Sequence, residues 1–381
     1  LNLLNPWWTK KTEEKTIPRT KYLDPIKENI DNQLILFLTG LRRVGKTTLI
    51  KQTIHHLITE KKVPPKKILF LNLDHIDFID TTIHEIIEKY KEINEIRYDE
   101  SIYIFLDEIT AKANFEQELK NLFDIGNTKI ICSSSVATLM KDKKAYLTGR
   151  TKTIEIFPLD FEEFLIFKGA NIEKFDKSLN KRWFEKYLNQ GGIPEFVLHE
   201  DIDQLSELLN SVIYKDIISH YNIKNEKEIK ELLRLLCQRI GKPTSYNKLG
   251  RILNLSGDTI KKYITYFENT YLFYSIEKYS KSINENITSP KKFYIADLGL
   301  KKIISSNKEK GVDFENLIFL KIKKEKPAYY LENGIEIDFC FKDTLIESKY
   351  ETEMNDKQQV LFKKLKFKNK IVAKDYTFFL S

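Results

Sequence analysis

The sequence predicts an α/β fold: a parallel sheet with a phosphate-binding loop, followed by smaller helical and α/β domains. Three observations carry this. Short apolar runs of strand length alternate with stretches of helical periodicity up to about residue 160. A glycine-rich loop, Gly40-Leu41-Arg42-Arg43-Val44-Gly45-Lys46-Thr47, lies between the first of those runs and an amphipathic segment. At 381 residues the chain also exceeds what one core usually supports, so two or three domains are expected.

The first run, Leu34 to Thr39, is apolar throughout, the pattern of a parallel strand covered on both faces. After the loop, Leu49, Ile50, Ile54, Leu57 and Ile58 recur at helical spacing until Lys61 to Pro65 break the pattern. Strand, loop and helix in that order suit phosphate binding: glycines let backbone N–H groups curl around the phosphates, and the helix points its positive end at them. The loop residues Gly40, Arg42, Arg43, Val44, Gly45, Lys46, Thr47 and Thr48 are therefore the expected ATP contacts. Lys46 would reach the β and γ phosphates, and the Thr47 hydroxyl would coordinate Mg²⁺.

Ile68 to Leu73, Ile102 to Leu106, Lys129 to Cys132 and Thr153 to Phe157 complete five expected strands. Right-handed crossovers make such a sheet parallel, with ligands at the carboxyl ends of its strands. Asp107-Glu108 closes the third run, a Walker B arrangement in which Asp107 would hold Mg²⁺ and Glu108 would orient the attacking water. An acidic pair at a helix start is the alternative. Cys132-Ser133-Ser134-Ser135 brings hydroxyls to the same edge, one of which could bond the γ-phosphate or the water; which serine acts is open. Arg150 precedes the fifth run and could neutralise transition-state charge within the chain or from a neighbouring subunit, or be an ordinary surface arginine.

Apolar residues at 41% and charged residues at 31% describe a globular chain with a solvated surface, and the net charge of +8 permits nucleic acid as a partner without requiring it. Cys132, Cys237 and Cys340 lack disulfide or zinc spacing and read as buried thiols of a reducing, cytoplasmic compartment. Nowhere do 18 apolar residues run consecutively, so no membrane association is expected. Trp7 and Trp8 read as aromatics docking on the core.

In the second half, helical periodicity over Glu228 to Ile240, a short helix over Tyr246 to Leu253 and a turn at Asn254-Leu255-Ser256-Gly257 precede a helix N-capped by Ser256. There Ile260, Ile264 and Phe267 share one face and leave Thr259, Lys261 and Lys262 outward; Tyr271 to Tyr279 then alternates like a wing hairpin. This predicts a winged helix whose Thr259, Lys261 and Lys262 face DNA, or one used only for protein packing.

Several segments together carry a family resemblance: the loop from Gly40 to Thr48, Phe105-Leu-Asp-Glu-Ile109, Leu147-Thr-Gly-Arg150, Phe157-Pro-Leu-Asp-Phe-Glu-Glu-Phe-Leu165 and Gly191-Gly-Ile-Pro-Glu195. Over most of its length the chain resembles prokaryotic AAA+-like P-loop ATPases that carry a helical lid, a winged helix and a C-terminal domain related to PD-(D/E)xK nucleases. The resemblance implies ATP and Mg²⁺ as cofactors, a sensor role at Ser134 or its neighbours, and an arginine-finger role for Arg150. It also implies a lid over the helical residues 161–225 and a nuclease-like domain in which Asp338, Glu347 and Lys349 match the family core. Carboxylates from neighbouring strands can bind a divalent ion, with Glu315 completing the set from its helix and Lys349 activating water. A solvated edge of glutamate and lysine is the alternative.

The expected organisation is an N-terminal segment over 1–30, the ATPase core over 31–160, the lid over 161–225, the winged helix over 226–285 and the nuclease-like domain over 286–381. The expected function is an Mg²⁺-dependent ATPase that binds, remodels or cleaves DNA under nucleotide control, with DNA and further copies of the same chain as the candidate partners. The alternative is a nucleotide-dependent protein-assembly switch whose last domain is a docking surface.

Overall fold

The structure, a computed structural model, describes residues 1–10, 16–137, 144–170, 176–305 and 309–380. Two compact units emerge, Leu1–Phe157 and Pro158–Ser381.

In the first unit, α1 (Thr20–Glu28) precedes β1 (Ile35–Thr39) and α2 (Lys46–Thr59). Then β2 (Ile68–Asn72), α3 (Ile83–Asn94), β3 (Ile102–Asp107), α4 (Phe115–Ile125), β4 (Thr128–Ser134) and β5 (Thr151–Glu155) follow. The strands pair only in parallel, in the order β2-β3-β4-β1-β5. Every residue of β1 is buried, as its unbroken apolar run requires of a strand with helices on both faces. On one face Phe37, Leu71, Ile104 and Ile130 pack with Ile86, Ile87 and Tyr90 of α3 and Leu119 of α4. A capping box between Thr82 and Glu85 starts α3. The last strand begins and ends two residues earlier than its apolar signal: β5 is a half-exposed edge strand, and the buried Ile156 that dominates the signal lies just past its end.

At the opposite edge the N-terminal segment pairs with β2 through a side chain. Asn5 donates to the Phe70 carbonyl (3.0 Å) and accepts from the Phe70 N–H (2.7 Å), as a neighbouring strand would. The indoles of Trp7 and Trp8 both donate to the Ile68 carbonyl, and Trp8 stacks on Tyr90 at 5.5 Å.

The second unit opens with helices α5 (Phe161–Phe167), α6 (Lys177–Gln190), α7 (Pro194–His199) and α8 (Ile202–Asn210), the last running on in wide π-type turns over Ser211–Ser219. Next come α9 (Glu226–Gln238), α10 (Tyr246–Leu253) and α11 (Gly257–Asn269), with Ser256 capping α11 by accepting from the Thr259 N–H. Strand β6 (Phe273–Ile276) pairs antiparallel with β7 (Lys292–Ile295), α12 (Ile283–Thr288) lying between them, and single bridges join Ile240 and Thr244 to Phe293 and Lys291. A hairpin within Tyr271 to Tyr279 does not form. Beyond Ile276 the chain pairs elsewhere: the Tyr279 N–H donates to the Tyr329 carbonyl and the Tyr329 N–H to the Glu277 carbonyl.

After α13 (Leu298–Ile304), helix α14 (Lys310–Ile322) leads into β8 (Ala328–Glu332), β9 (Ile335–Phe341) and β10 (Thr344–Ser348); α15 (Asp356–Lys364) then crosses to β11 (Asn369–Ala373). The sheet order is β11-β10-β9-β8, antiparallel except for the β10–β11 pair. The three cysteines are buried and free, and among the described residues no helix is long and apolar enough to cross a membrane.

Candidate functional site

The loop between β1 and α2 closes over the carboxyl edge of the parallel sheet. Gly40, at φ +142°, is obligatory: a Cβ there would lie 2.2 Å from the Ile156 carbonyl oxygen. Arg43 also takes a left-handed φ of +59°, which costs a non-glycine residue about 1 kcal/mol. Lys46 lies buried at the head of α2, its ammonium donating to the Gly40 and Leu41 carbonyls at 2.9 Å each. Val44 is buried beneath the loop, while Arg43 and Thr47 are exposed and Arg42 and Thr48 half-exposed.

A residue that sequence reasoning missed braces this loop. Arg19, buried ahead of α1, donates to the Val44 carbonyl (2.7 Å) and the Phe157 carbonyl (2.9 Å), with its guanidinium 4.6 Å from the Tyr22 ring. The Tyr22 hydroxyl in turn accepts from the Phe157 N–H. No local pattern marks Arg19, because both carbonyls it serves are distant in the chain.

Strand order sets β4 between β1 and β3, so its hydroxyls fall between the loop and the acidic pair. The Thr47 hydroxyl donates to one Asp107 carboxylate oxygen at 2.7 Å, and the Ser133 hydroxyl donates to the other. Burial pushes the Asp107 carboxyl above the ordinary aspartate range, and these two hydrogen bonds pull it back. Glu108 takes a left-handed φ of +52°; its N–H donates to Ser133 Oγ and its carboxylate accepts from the Ser135 hydroxyl at 2.9 Å. Ser134, the central serine of the expected sensor group, instead meets Val136 and Thr110. Ser133 and Ser134 end β4 and take opposite faces, and Ser135, just past the strand, turns to the side of Ser133. Ser133 and Ser135 are thus the hydroxyls that reach the acidic pair. Thr47 and Asp107 together present hard oxygen donors at the loop, which suits Mg²⁺.

Arg150 lies at the wrong edge to serve this site within the unit. Its carbonyl accepts from the Ile35 N–H at the amino end of β1, whereas the nucleotide loop leaves the carboxyl end, about 13 Å away along four residues of strand. Its side chain pairs with Asp124 at 3.3 Å and rests 5.6 Å from the Phe123 ring. The in-chain role expected of Arg150 is therefore excluded by strand direction.

In the second unit, Lys261 and Lys262 are exposed on α11, while Thr259 is half-exposed and its hydroxyl engages Ser256 at 2.9 Å. The four-stranded sheet gathers Glu315 from α14, Glu336 and Asp338 from β9 and Glu347 from β10. Among the described residues no three acidic, histidine or cysteine side chains are placed to hold a metal, the expected set of Glu315, Asp338 and Glu347 included. A lysine that sequence reasoning missed, Lys292 of β7, lies among three of the gathered carboxylates. Its ammonium, wholly buried, lies 3.0 Å from Glu315, 2.5 Å from Glu336 and 3.0 Å from Asp338. Glu347 instead meets the Lys349 ammonium at 2.6 Å and the Gln358 amide at 2.9 Å. Burial, then the Asp338 charge, pushes the carboxyls of Glu315 and Glu347 upward.

Comparison with known proteins divides the chain similarly. Residues 32–165 match the family described as an AAA domain, and residues 181–310 match a domain of unknown function, DUF8612. An uncharacterized protein of Methanocaldococcus jannaschii, MJ1544, is 29% identical over 347 residues, covering 85% of this chain and 76% of that protein. An uncharacterized protein of Haemophilus influenzae is 26% identical over 340 residues, covering 85% and 83%. Among solved structures, the Aeropyrum pernix ORC1 protein in complex with DNA aligns over 78% of this chain and 95% of its own, with 11% identity and a TM-score of 0.37. AMPPCP-bound DnaA from Aquifex aeolicus aligns over 70% and 92%, with 15% identity and a TM-score of 0.35. The five-stranded parallel sheet, the phosphate loop at its carboxyl edge and the match over residues 32–165 agree that this part of the chain has an AAA+-like P-loop ATPase fold, similar to the AAA domain.

Proposed function

We propose that the chain is an Mg²⁺-dependent AAA+-like ATPase whose nucleotide state governs how its second unit engages DNA. The observation that carries this reading is the Thr47–Asp107 contact at 2.7 Å beside the phosphate loop, with Glu108 held by Ser135. Thr47 and Asp107 would hold Mg²⁺, which when bound neutralises phosphate charge. Lys46 supplies a second positive charge to the phosphates. Glu108, fixed by the Ser135 hydroxyl, orients the attacking water and accepts its proton. Ser133 holds the Asp107 carboxylate in place.

For the second unit, the succession α9, the bridged residues Ile240 and Thr244, α10, α11, β6 and β7 supports a winged helix with α11 as its reading helix. Lys261 and Lys262 would contact phosphates, with Thr259 beside them. Because β6 finds its partner at Lys292–Ile295, the module extends past residue 285 to about residue 296. Residues 161–225 fit a helical lid, and the α-β-β-β-α-β order from α14 to β11 fits a PD-(D/E)xK-like fold. Arg150 keeps a role only from a neighbouring subunit of a homo-oligomer.

One observation favours a second reading, the protein-assembly switch: the acidic cluster is filled by a lysine, which leaves the last domain better suited to docking than to cleavage. Phosphate release from ATP by the wild type, Lys46→Ala and Glu108→Gln is the first test, with DNA binding followed by fluorescence anisotropy in ATP and in ADP. Hydrolysis lost in both variants, with nucleotide-dependent DNA binding, is the expected result. Hydrolysis without DNA binding at low salt would select the assembly switch; no hydrolysis would end both readings.

A further inference from the structure

We propose that Lys292 is a resident cation standing where a divalent metal would otherwise balance Glu315, Glu336 and Asp338, so that this cluster holds no metal and cuts no phosphodiester bond. The inference concerns the second unit alone and stands whether or not the first hydrolyses ATP.

The geometry is that of a filled site. An ammonium has three protons to donate, and three carboxylates from two elements each stand within 3.0 Å of the Lys292 nitrogen. The side chain is 0% exposed. A magnesium ion would need oxygens at about 2.1 Å in an octahedron, which these carboxylates can offer only if the ammonium leaves. Lys292 begins β7 with its backbone paired to Ile276 of β6, which fixes the point from which its side chain enters the cluster.

The surroundings are fitted to this arrangement. The Tyr294 hydroxyl donates to Glu315 at 2.8 Å, and the Ser348 N–H donates to the second Asp338 oxygen at 2.9 Å. Gly241 makes room for the Glu315 carboxylate, since a Cβ added there, at φ +72°, would come within 2.7 Å of it. Hydrolysis would also need a lysine free to act on water, yet Lys349 and Gln358 both engage the same oxygen of Glu347, a residue 1% exposed.

The cluster consequently works as a fastening. Lys292 comes from the sheet that follows the helix-turn-helix, while its partners come from α14 and β9, so one buried ammonium ties the proposed DNA-binding module to the four-stranded sheet.

The test titrates Mn²⁺ alone into the nucleotide-free full chain and reads free ion by electron paramagnetic resonance. Wild type, Asp338→Asn and Glu347→Gln are expected to give superimposable curves, because none holds an ion at the cluster. Lys292→Met, near in length and uncharged, is expected to gain a Mn²⁺ site that a second change, Asp338→Asn, removes. A wild-type Mn²⁺ site lost in Asp338→Asn, DNA nicking that depends on Glu347, or a folded Lys292→Met protein with no gained site would each overturn the proposal. Should Lys292→Met not fold, the comparison of wild type with Asp338→Asn and Glu347→Gln still decides it.

Discussion

Replacing Ser135 by alanine should slow ATP hydrolysis, whereas replacing Ser134 should not. The Ser135 hydroxyl donates at 2.9 Å to a carboxylate, and a hydrogen bond to a charged group contributes about 1.5–3 kcal/mol. If that bond is what keeps Glu108 aimed at the attacking water, its full loss in the transition state lowers kcat by roughly 10- to 150-fold. The lower figure is the better expectation, since the Ser135 N–H remains 3.4 Å from the same oxygen. KM for ATP should stay unchanged, because the serine acts on Glu108 rather than on the phosphates. Ser134→Ala removes only bonds to Val136 and Thr110, so its cost of about 1 kcal/mol should appear as a lower melting temperature with kcat within about twofold. Steady-state phosphate release at saturating ATP, with a thermal melt of each variant, separates the two. Equal losses of kcat in both variants, each still folded, would refute the assignment of Ser135 as the serine that positions Glu108.

Arg19→Ala should loosen the phosphate loop: with two guanidinium bonds gone, about 2–3 kcal/mol of stability should go too, and fluorescent ADP should bind more weakly; Arg19→Lys should not restore both contacts. Arg150→Ala should leave nucleotide affinity intact; if the residue serves a neighbouring subunit, mixing it with Lys46→Ala should recover part of the hydrolysis rate, and no recovery at any ratio would retire that role. Asp297, wholly buried while accepting from the Gly192 and Leu300 N–H groups, is pushed by burial up to about 6. A carboxyl with a raised pKa in the fold contributes stability below the unfolded value near 4 and loses it as pH rises through 6. The second unit should therefore lose about 3 kcal/mol of relative stability across that window, and melting temperatures of Asp297→Asn should follow a flatter pH profile there.

Legibility followed the range of the interactions involved. The nucleotide loop and the Asp107-Glu108 pair were readable because a phosphate site is made of consecutive backbone groups, and because a run such as Ile102 to Leu106 marks its own strand end. Residues whose partners are distant were not. Arg19 serves carbonyls at 44 and 157, and Lys292 meets carboxylates at 315, 336 and 338; in the sequence each is one basic residue among many. Arg150 was identifiable as a candidate, yet only the parallel register of β5 with β1 reveals which end of the sheet it occupies. The run Tyr271 to Tyr279 resembled two short strands, but only Phe273–Ile276 forms one, without alternating burial, and its partner at Lys292–Ile295 is too distant to be read from local pattern.

The hold of Asn5 on Phe70 has a practical consequence for handling the protein. Without the first nine residues, the outer margin of β2 would lie bare, a ready template for intermolecular β-pairing and precipitation. Trimmed versions should be less soluble even with every nucleotide contact intact, and an affinity tag is better joined through a flexible spacer than fused directly against this segment.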